Sequence, residues 1–170
     1  MTLPVLIPVN RLDQAKGRLA PLLTEAEREE LALITAETVA HAAGAAAVIL
    51  APSNPFVSIG PILAVPGIRE ALANTRARRA AISPIIAGQV VKGPAAKMLA
   101  SLGHEVSALG VARLYRGLID LFVLDTADAA LAPEVEALGM RALVTETLMT
   151  TPERKRALAV DVLAALEAAP

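Results

Sequence analysis

The chain has 170 residues, a formal net charge of −1 and no cysteine, with hydrophobic residues at 55% and aromatic residues at only 2%. That length suits one domain with a substantial core, here assembled from aliphatic side chains and alanine with little aromatic anchoring. The charge balance gives no footing for a nucleic-acid partner, the absence of cysteine removes disulfides and thiolate chemistry, and no apolar run reaches the ~18 residues of a membrane span, so the mean hydropathy of +0.54 reflects alanine and aliphatic content.

The opening residues, MTLPVLIPVNRLDQAKGR, place apolar side chains before charged ones, the reverse of a secretory signal, and the expected compartment is the cytoplasm. Residues 5–9 read as a first strand with Pro8 at its end. The basic residues Arg11, Lys16 and Arg18 follow it closely, as an ordinary solvated loop or as partners for a phosphate. Thr24 and Glu27 form a capping box that opens a helix to about His41, with Gly44 as its stop.

Residues 48–68, VILAPSNPFVSIGPILAVPGI, organise the rest. An apolar run of strand length, 48–51, breaks at Pro52-Ser53-Asn54-Pro55, a cluster of turn formers. A buried strand that stops on small hydroxyl and amide side chains suits phosphate or carboxylate binding. It equally suits a tight connection inside an α/β core. A helix is expected from Ile68 to about Ala77, ending in a basic patch of Arg76, Arg78 and Arg79.

Residues 80–86 read as another buried strand, running into a loop, 87–94, that carries Gly88, Lys92 and Gly93. A helix over 95–102 then stops at Gly103, and the loop before it suits an anion, although glycine and lysine also serve ordinary turns. Beyond it come a helix over 111–119, a strand over 121–125, a helix over 131–138 closed by Gly139, and a strand over 141–147. A last helix starts at Thr151 as cap and Pro152 as first helical residue, with Leu158, Val162, Leu163 and Leu166 along its apolar stripe. Strand and helix alternate throughout. The expected fold is an α/β layered sandwich, one domain over residues 1–170, with a mostly parallel, Rossmann-like sheet.

Few constellations carry chemistry. His41 and His104 are isolated, without a second ligand at helical spacing, so no metal site is assigned; His104 reads as a solvated loop residue. Asp125 and Asp128, with Thr126, stand at the end of a strand and fit a hard cation beside a phosphate or, equally, helix caps. Ser53, Ser58 and Ser83 lack a nearby histidine and the glycine bracket of a nucleophile elbow, so binding rather than nucleophilic attack is their expected role. A homodimer is plausible from the large apolar share.

From about residue 46 to 166 the chain resembles the C-terminal part of the 2-phospho-L-lactate transferase family, through APSNPFVSIGPILAVPGIREAL, AISPIIAG with VKGPAAKM, EVSALGVARLYRGLIDLFVLD with TADAAL, and ALVTETLMT. The resemblance implies a magnesium-assisted transfer of a phospholactate or phosphoenolpyruvate unit from a guanylylated donor to a deazaflavin precursor, with release of GMP, in the synthesis of the deazaflavin coenzyme factor 420. It implies that Ser53, Asn54, Pro55 and Ser58 lie against the donor or the deazaflavin, with Ser83, Gly88 and Lys92 around the same crevice. The glycine-rich loop and metal-binding acids that the family carries in its first half are not found in residues 1–45. Residues of about 4 to 42, LIPVNRLDQAKGRLAPLLTEAEREELAL, are instead similar to the start of the guanylyltransferase of the same pathway. That resemblance makes Lys16 and Arg18 nucleotide-binding candidates, with Asn10 where the family usually has lysine, and it puts a join near 42–47. Two further readings therefore stand beside the transferase: guanylyl transfer, and a noncatalytic module that keeps the ligand crevice.

Overall fold

Leu121–Asp125 is a strand in which every residue is buried, and its alternate side chains enter two different apolar clusters. Leu121 and Val123 go to one, Phe122 and Leu124 to the other. A strand apolar on both faces belongs inside a sheet covered on both sides. The computed structural model, which describes residues 5–7 and 47–168, places it there.

The sheet has five parallel strands in the order β1 (Val5–Ile7), β2 (Ala47–Leu50), β3 (Arg78–Ile82), β6 (Leu121–Asp125) and β7 (Arg141–Thr145). Registers such as Ile49 with Ala80, Ala80 with Leu121, and Leu121 with Arg141 carry the alternation across the strands. Two short strands, β4 (Ile85–Ile86) and β5 (Gln89–Val90), form a separate antiparallel hairpin. The fold is the α/β layered sandwich that the alternation of strand and helix pointed to.

Because strand order advances in one direction from β2 to β7, crossovers of a constant hand stay on one face. That face carries α1 (Gly60–Leu63), α2 (Ile68–Asn74), α3 (Ala95–Ser101), α4 (Ala108–Leu114) and α5 (Ala132–Glu136). They bring Leu63, Leu99, Leu109, Val111 and Val135 into the cluster that holds Leu50, Ala81, Phe122 and Leu124. The other face takes α6 (Pro152–Glu167), whose Leu158, Val162 and Leu166 pack on Ile49, Ala80, Ile82, Leu121 and Val123, with Leu163 partly buried beside them. The Thr151 side chain accepts from the Arg154 N–H at the start of α6, as its sequence signature required. At the far end Arg78 donates to the carbonyls of Leu166 and Ala168, and Arg141 to those of Ala165 and Ala168. Two cations thus satisfy the orphan carbonyls of a helix C-terminus.

Several local expectations change. The basic patch at Arg76, Arg78 and Arg79 does not form: Arg78 is spent on α6, and Arg79 pairs with Asp120 at 2.5 Å. The strand read over 80–86 ends at Ile82, where the Ser83 hydroxyl accepts from the Ile85 N–H and donates to the Ile85 carbonyl, turning the chain into the hairpin. The turn expected at 52–55 gives way, from Pro55, to a π-helical turn, Pro55–Ile59, that runs into α1. The helix expected over 111–119 lies earlier, because Ser107 caps it by accepting from the Gly110 N–H. The one expected over 131–138 is a 3-10 segment, Thr126–Leu131, followed by the short α5. Helix α2 ends at Asn74 and β7 at Thr145, each short of the expected bound. Gly103, with φ of 76°, follows the C-cap Leu102 of α3 as expected, whereas α5 ends at Glu136 and Gly139, with φ of 88°, lies two residues past its C-cap Ala137. The capping box at Thr24 and Glu27, together with Arg11, Lys16, Arg18, His41 and Gly44, lies outside the described residues.

Candidate functional site

In a parallel sheet all strands end on the same edge, and ligands favour the crevice outside those ends. Segments 52–58 after β2, 83–86 and 91–95 after β3, and 147–150 after β7 surround a cleft of about 570 Å³ on that edge. Among the described residues its walls come from three separate parts of the chain, joined only by the fold.

The first wall is the stretch that organised the sequence. Asn54, with extended backbone, caps the π-helical turn: its side-chain oxygen accepts from the N–H groups of Phe56 at 2.8 Å and Val57 at 3.2 Å. Its carbonyl accepts from both Ser58 and Ile59 at 3.1 Å, which produces the wide π turn. The Asn54 amide nitrogen lies 3.5 Å from the Met98 sulfur. Asn54 therefore lines the cleft with its acceptor already committed. Ser53 and Ser58 also line it, and among the described residues neither hydroxyl has a hydrogen-bond partner. A serine hydroxyl that lines a cleft can donate to a ligand oxygen. Pro55 starts the π-helical turn and is buried behind this wall rather than lining it.

The second wall holds Ser83, Pro84, Ile86, Val91, Lys92 and Gly93. Ser83 is 2% exposed and its hydroxyl is occupied at both ends by Ile85, so it shapes the wall rather than offering a free group. Lys92 is exposed at the rim and brings the one ammonium that the described residues place on the cleft. Gly88 sits at the tip of the hairpin, with φ of 73°, outside the lining.

The third wall is Thr147, Leu148, Met149 and Thr150. No residue here was a candidate in the sequence reading, although the matched motif ALVTETLMT covers it. In a parallel sheet the segment after each strand arrives at the same edge, and that rule would have found it. Val91, Leu148 and Met149 are large hydrophobic side chains left exposed on facing walls. His104, expected as a solvated loop residue, is half-buried and stacks on Phe56 with ring centroids 5.7 Å apart, behind the first wall.

Asp125 and Asp128 are both engaged by donors of the fold, Asp125 as the cap of the 3-10 segment that follows β6. One Asp125 oxygen accepts from the Ala127 N–H at 3.0 Å; the other accepts from the Thr147 N–H at 2.9 Å and the Thr147 hydroxyl at 2.8 Å. Burial alone would raise the pKa of this carboxyl, but the donors from Ala127, Thr147 and Thr126 outweigh it and hold the group below the ordinary aspartate value. Asp128 accepts from the Ala87 N–H at 2.9 Å. Among the described residues no three His, Asp or Glu side chains come together to hold a metal. The magnesium implied by resemblance therefore finds no fitting ligand set among them.

Among the described residues, two serine hydroxyls and an ammonium thus meet an apolar rim at the cleft, a mixed lining of the kind found in small-molecule sites. Comparison with known proteins is consistent with that class. The family described as 2-phospho-L-lactate transferase CofD matches residues 11–165. The 2-phospho-L-lactate transferase of Methanosarcina acetivorans is 47% identical over 112 residues, 66% of this chain and 36% of that protein. The phosphoenolpyruvate transferase of Streptomyces griseus is 46% identical over 127 residues, 74% of this chain and 40% of that protein. The 2-phospho-L-lactate transferase of Methanocaldococcus jannaschii is 37% identical over 116 residues, again covering 36% of that protein. The chain belongs to the 2-phospho-L-lactate transferase family. It spans well under half the length of these relatives. The family match begins at residue 11, so it runs through most of the segment that resembles the guanylyltransferase and lends that second resemblance no support.

Proposed function

We propose that this chain contributes the strand-end cleft of a phospho-acid transferase in deazaflavin coenzyme synthesis. The acceptor is the deazaflavin alcohol and the donor a guanylylated phospholactate or phosphoenolpyruvate. The observation that carries the proposal is the cleft itself, lined by the organising stretch 52–58 within a family match that covers residues 11–165. Relatives named for phospholactate and for phosphoenolpyruvate match it about equally well, so both phospho-acids stay within the proposal.

In such a transfer the acceptor hydroxyl oxygen forms a bond to the phosphorus of the phospho-acid, the bond from that phosphorus to the oxygen of GMP breaks, and the hydroxyl proton leaves to solvent or a base. The task of this chain in that step is to hold and orient. Ser53 and Ser58 donate to phosphate oxygens, Lys92 offsets their charge, and Val91, Leu148 and Met149 cover the apolar ring system. No catalytic residue is assigned. One observation favours a second reading, a noncatalytic ligand module: the carboxylates of Asp125 and Asp128 accept hydrogen bonds from the fold and neither residue lines the cleft.

The test is incubation of the chain with guanylylated phospholactate, the deazaflavin alcohol and magnesium, beside an active full-length relative. Formation of GMP and of the condensed product supports the transferase. Binding of the deazaflavin alcohol without turnover selects the module, and neither binding nor turnover sinks both.

A further inference from the structure

We infer that Asp125 and Asp128 are positioning residues for the cleft, each fastening one of two of its three walls, the hairpin segment and 147–150, to the rigid end of β6. Strand β6 is buried along its whole length between β3 and β7, which makes its C-terminal end a fixed point. From that end the two carboxylates reach apart. Asp125 takes both the N–H and the hydroxyl of Thr147, the first residue of the 147–150 wall. Asp128 takes the N–H of Ala87, at the tip of the hairpin that leads into Val91 and Lys92.

Both walls need an external hold. Within 147–150 the backbone makes one internal hydrogen bond, Thr150 N–H to the Leu148 carbonyl at 3.0 Å, and two of its four side chains are exposed apolar groups. The hairpin has strands of two residues each, too short to be stable alone. Its tip residue Ala87 has φ of 48°, a left-handed conformation that a residue with a side chain adopts at a cost. Hydrogen bonds to carboxylates are among the strong ones, and these three are side-chain ties that run from the end of β6 to the two walls, beside the backbone bond from the Ser83 N–H to the Val123 carbonyl. Neither aspartate lines the cleft, so their effect on a ligand passes through Thr147 and the hairpin. The consequence for binding rests on the function proposed above; the holding of the walls does not.

Amide hydrogen exchange read by mass spectrometry on the full chain separates the two ties. In Asp125→Asn the side-chain amide meets the Thr147 donors with a donor of its own, and exchange across 147–150 is expected to rise by about tenfold or more while 85–93 stays as in the parent. Asp128→Asn is expected to show the reverse pattern. Should Asp125→Asn fail to fold, Thr147→Val removes only the hydroxyl donor and reads the same wall, and Thr147→Ser is expected to restore it. Equal acceleration in both walls from either variant, or no change in either wall, overturns the inference. A wild-type chain that ignores the deazaflavin alcohol while the crossed exchange pattern holds refutes the proposed function and leaves the positioning role standing.

Discussion

Arg79 and Asp120 form a two-pronged pair that locks the start of β3 to the entry of β6. One Asp120 oxygen accepts from the Arg79 N–H at 2.8 Å and its Nε at 2.9 Å, while the other accepts from the guanidinium at 2.5 Å. The same guanidinium donates to the Leu72 and Ala73 carbonyls at the end of α2. One arginine thus ties a helix and two strands together at the edge opposite the cleft.

Burial of Asp120 works to raise its pKa, but Arg79 and, more weakly, Arg141 lower it further, and the net value lies below that of an ordinary aspartate. A carboxyl depressed in the folded state adds stability above the unfolded pKa, about 3.9, and loses it as pH falls through the folded value. Urea unfolding from pH 6 down to 2.5 is expected to show stability declining below about pH 4. Asp120→Asn is expected to lose about 1 kcal/mol at neutral pH and to flatten part of that decline. An unchanged pH profile in the variant would show that the pair contributes nothing.

Gly110 in α4 lies against the Glu105 carbonyl, and a Cβ placed there would come within 2.0 Å of that oxygen. Backbone has to move to admit a methyl group, so Gly110→Ala is expected to cost about 1–3 kcal/mol or more, although alanine is the better helix former. Gly60, where the same atom would meet the Pro55 carbonyl at 3.0 Å, is expected to cost less. Denaturant midpoints for the two variants give the comparison, and a neutral Gly110→Ala contradicts the packing described for α4.

Tyr115 is the sole tyrosine and is 3% exposed in the core behind α4. Burial pushes its hydroxyl pKa well above the ordinary tyrosine value. The folded state therefore favours the protonated form, and that stabilisation is present below about pH 10 and lost as pH rises beyond it. Absorbance of tyrosinate is expected to appear near pH 10 in denaturant, but in the native chain only at higher pH or on unfolding. Coincident titrations in the two states would place the ring in solvent.

The sheet and its two covered faces were legible because period-2 and period-3.6 apolar patterns are set by burial, which residues such as Phe122 and Val162 declare locally. Helix ends were legible where a cap residue is its own signal, as at Thr151 and Gly103. Ser107 is the same kind of signal and was missed, so α4 was placed three residues late. The π-helical turn at Pro55–Ile59 was not legible, since two prolines in seven residues read as loop and the cap at Asn54 shows its purpose only in three dimensions. Arg78 and Arg79 read as a basic patch because their partners Ala168 and Asp120 lie 90 and 41 residues away. Of the cleft, one wall came from sequence and a second in part. The third, 147–150, depends on all strands ending at one edge; Asp125, which bonds Thr147 there, read equally as a cation ligand or a helix cap, and it is the cap of the 3-10 segment.

The most direct test of the cleft as the ligand site is calorimetric titration of the chain with the deazaflavin alcohol and with GDP, repeated on Ser58→Ala and Lys92→Ala. Arg113→Ala, whose exposed pair with Glu105 lies outside the cleft, serves as the control. Saturable binding is expected for at least one of the two ligands, weakened roughly threefold to tenfold by Ser58→Ala, by about tenfold or more by Lys92→Ala when the ligand carries phosphate, and unaltered in the control. Absence of binding to both ligands, or binding that neither cleft variant changes, would contradict the account.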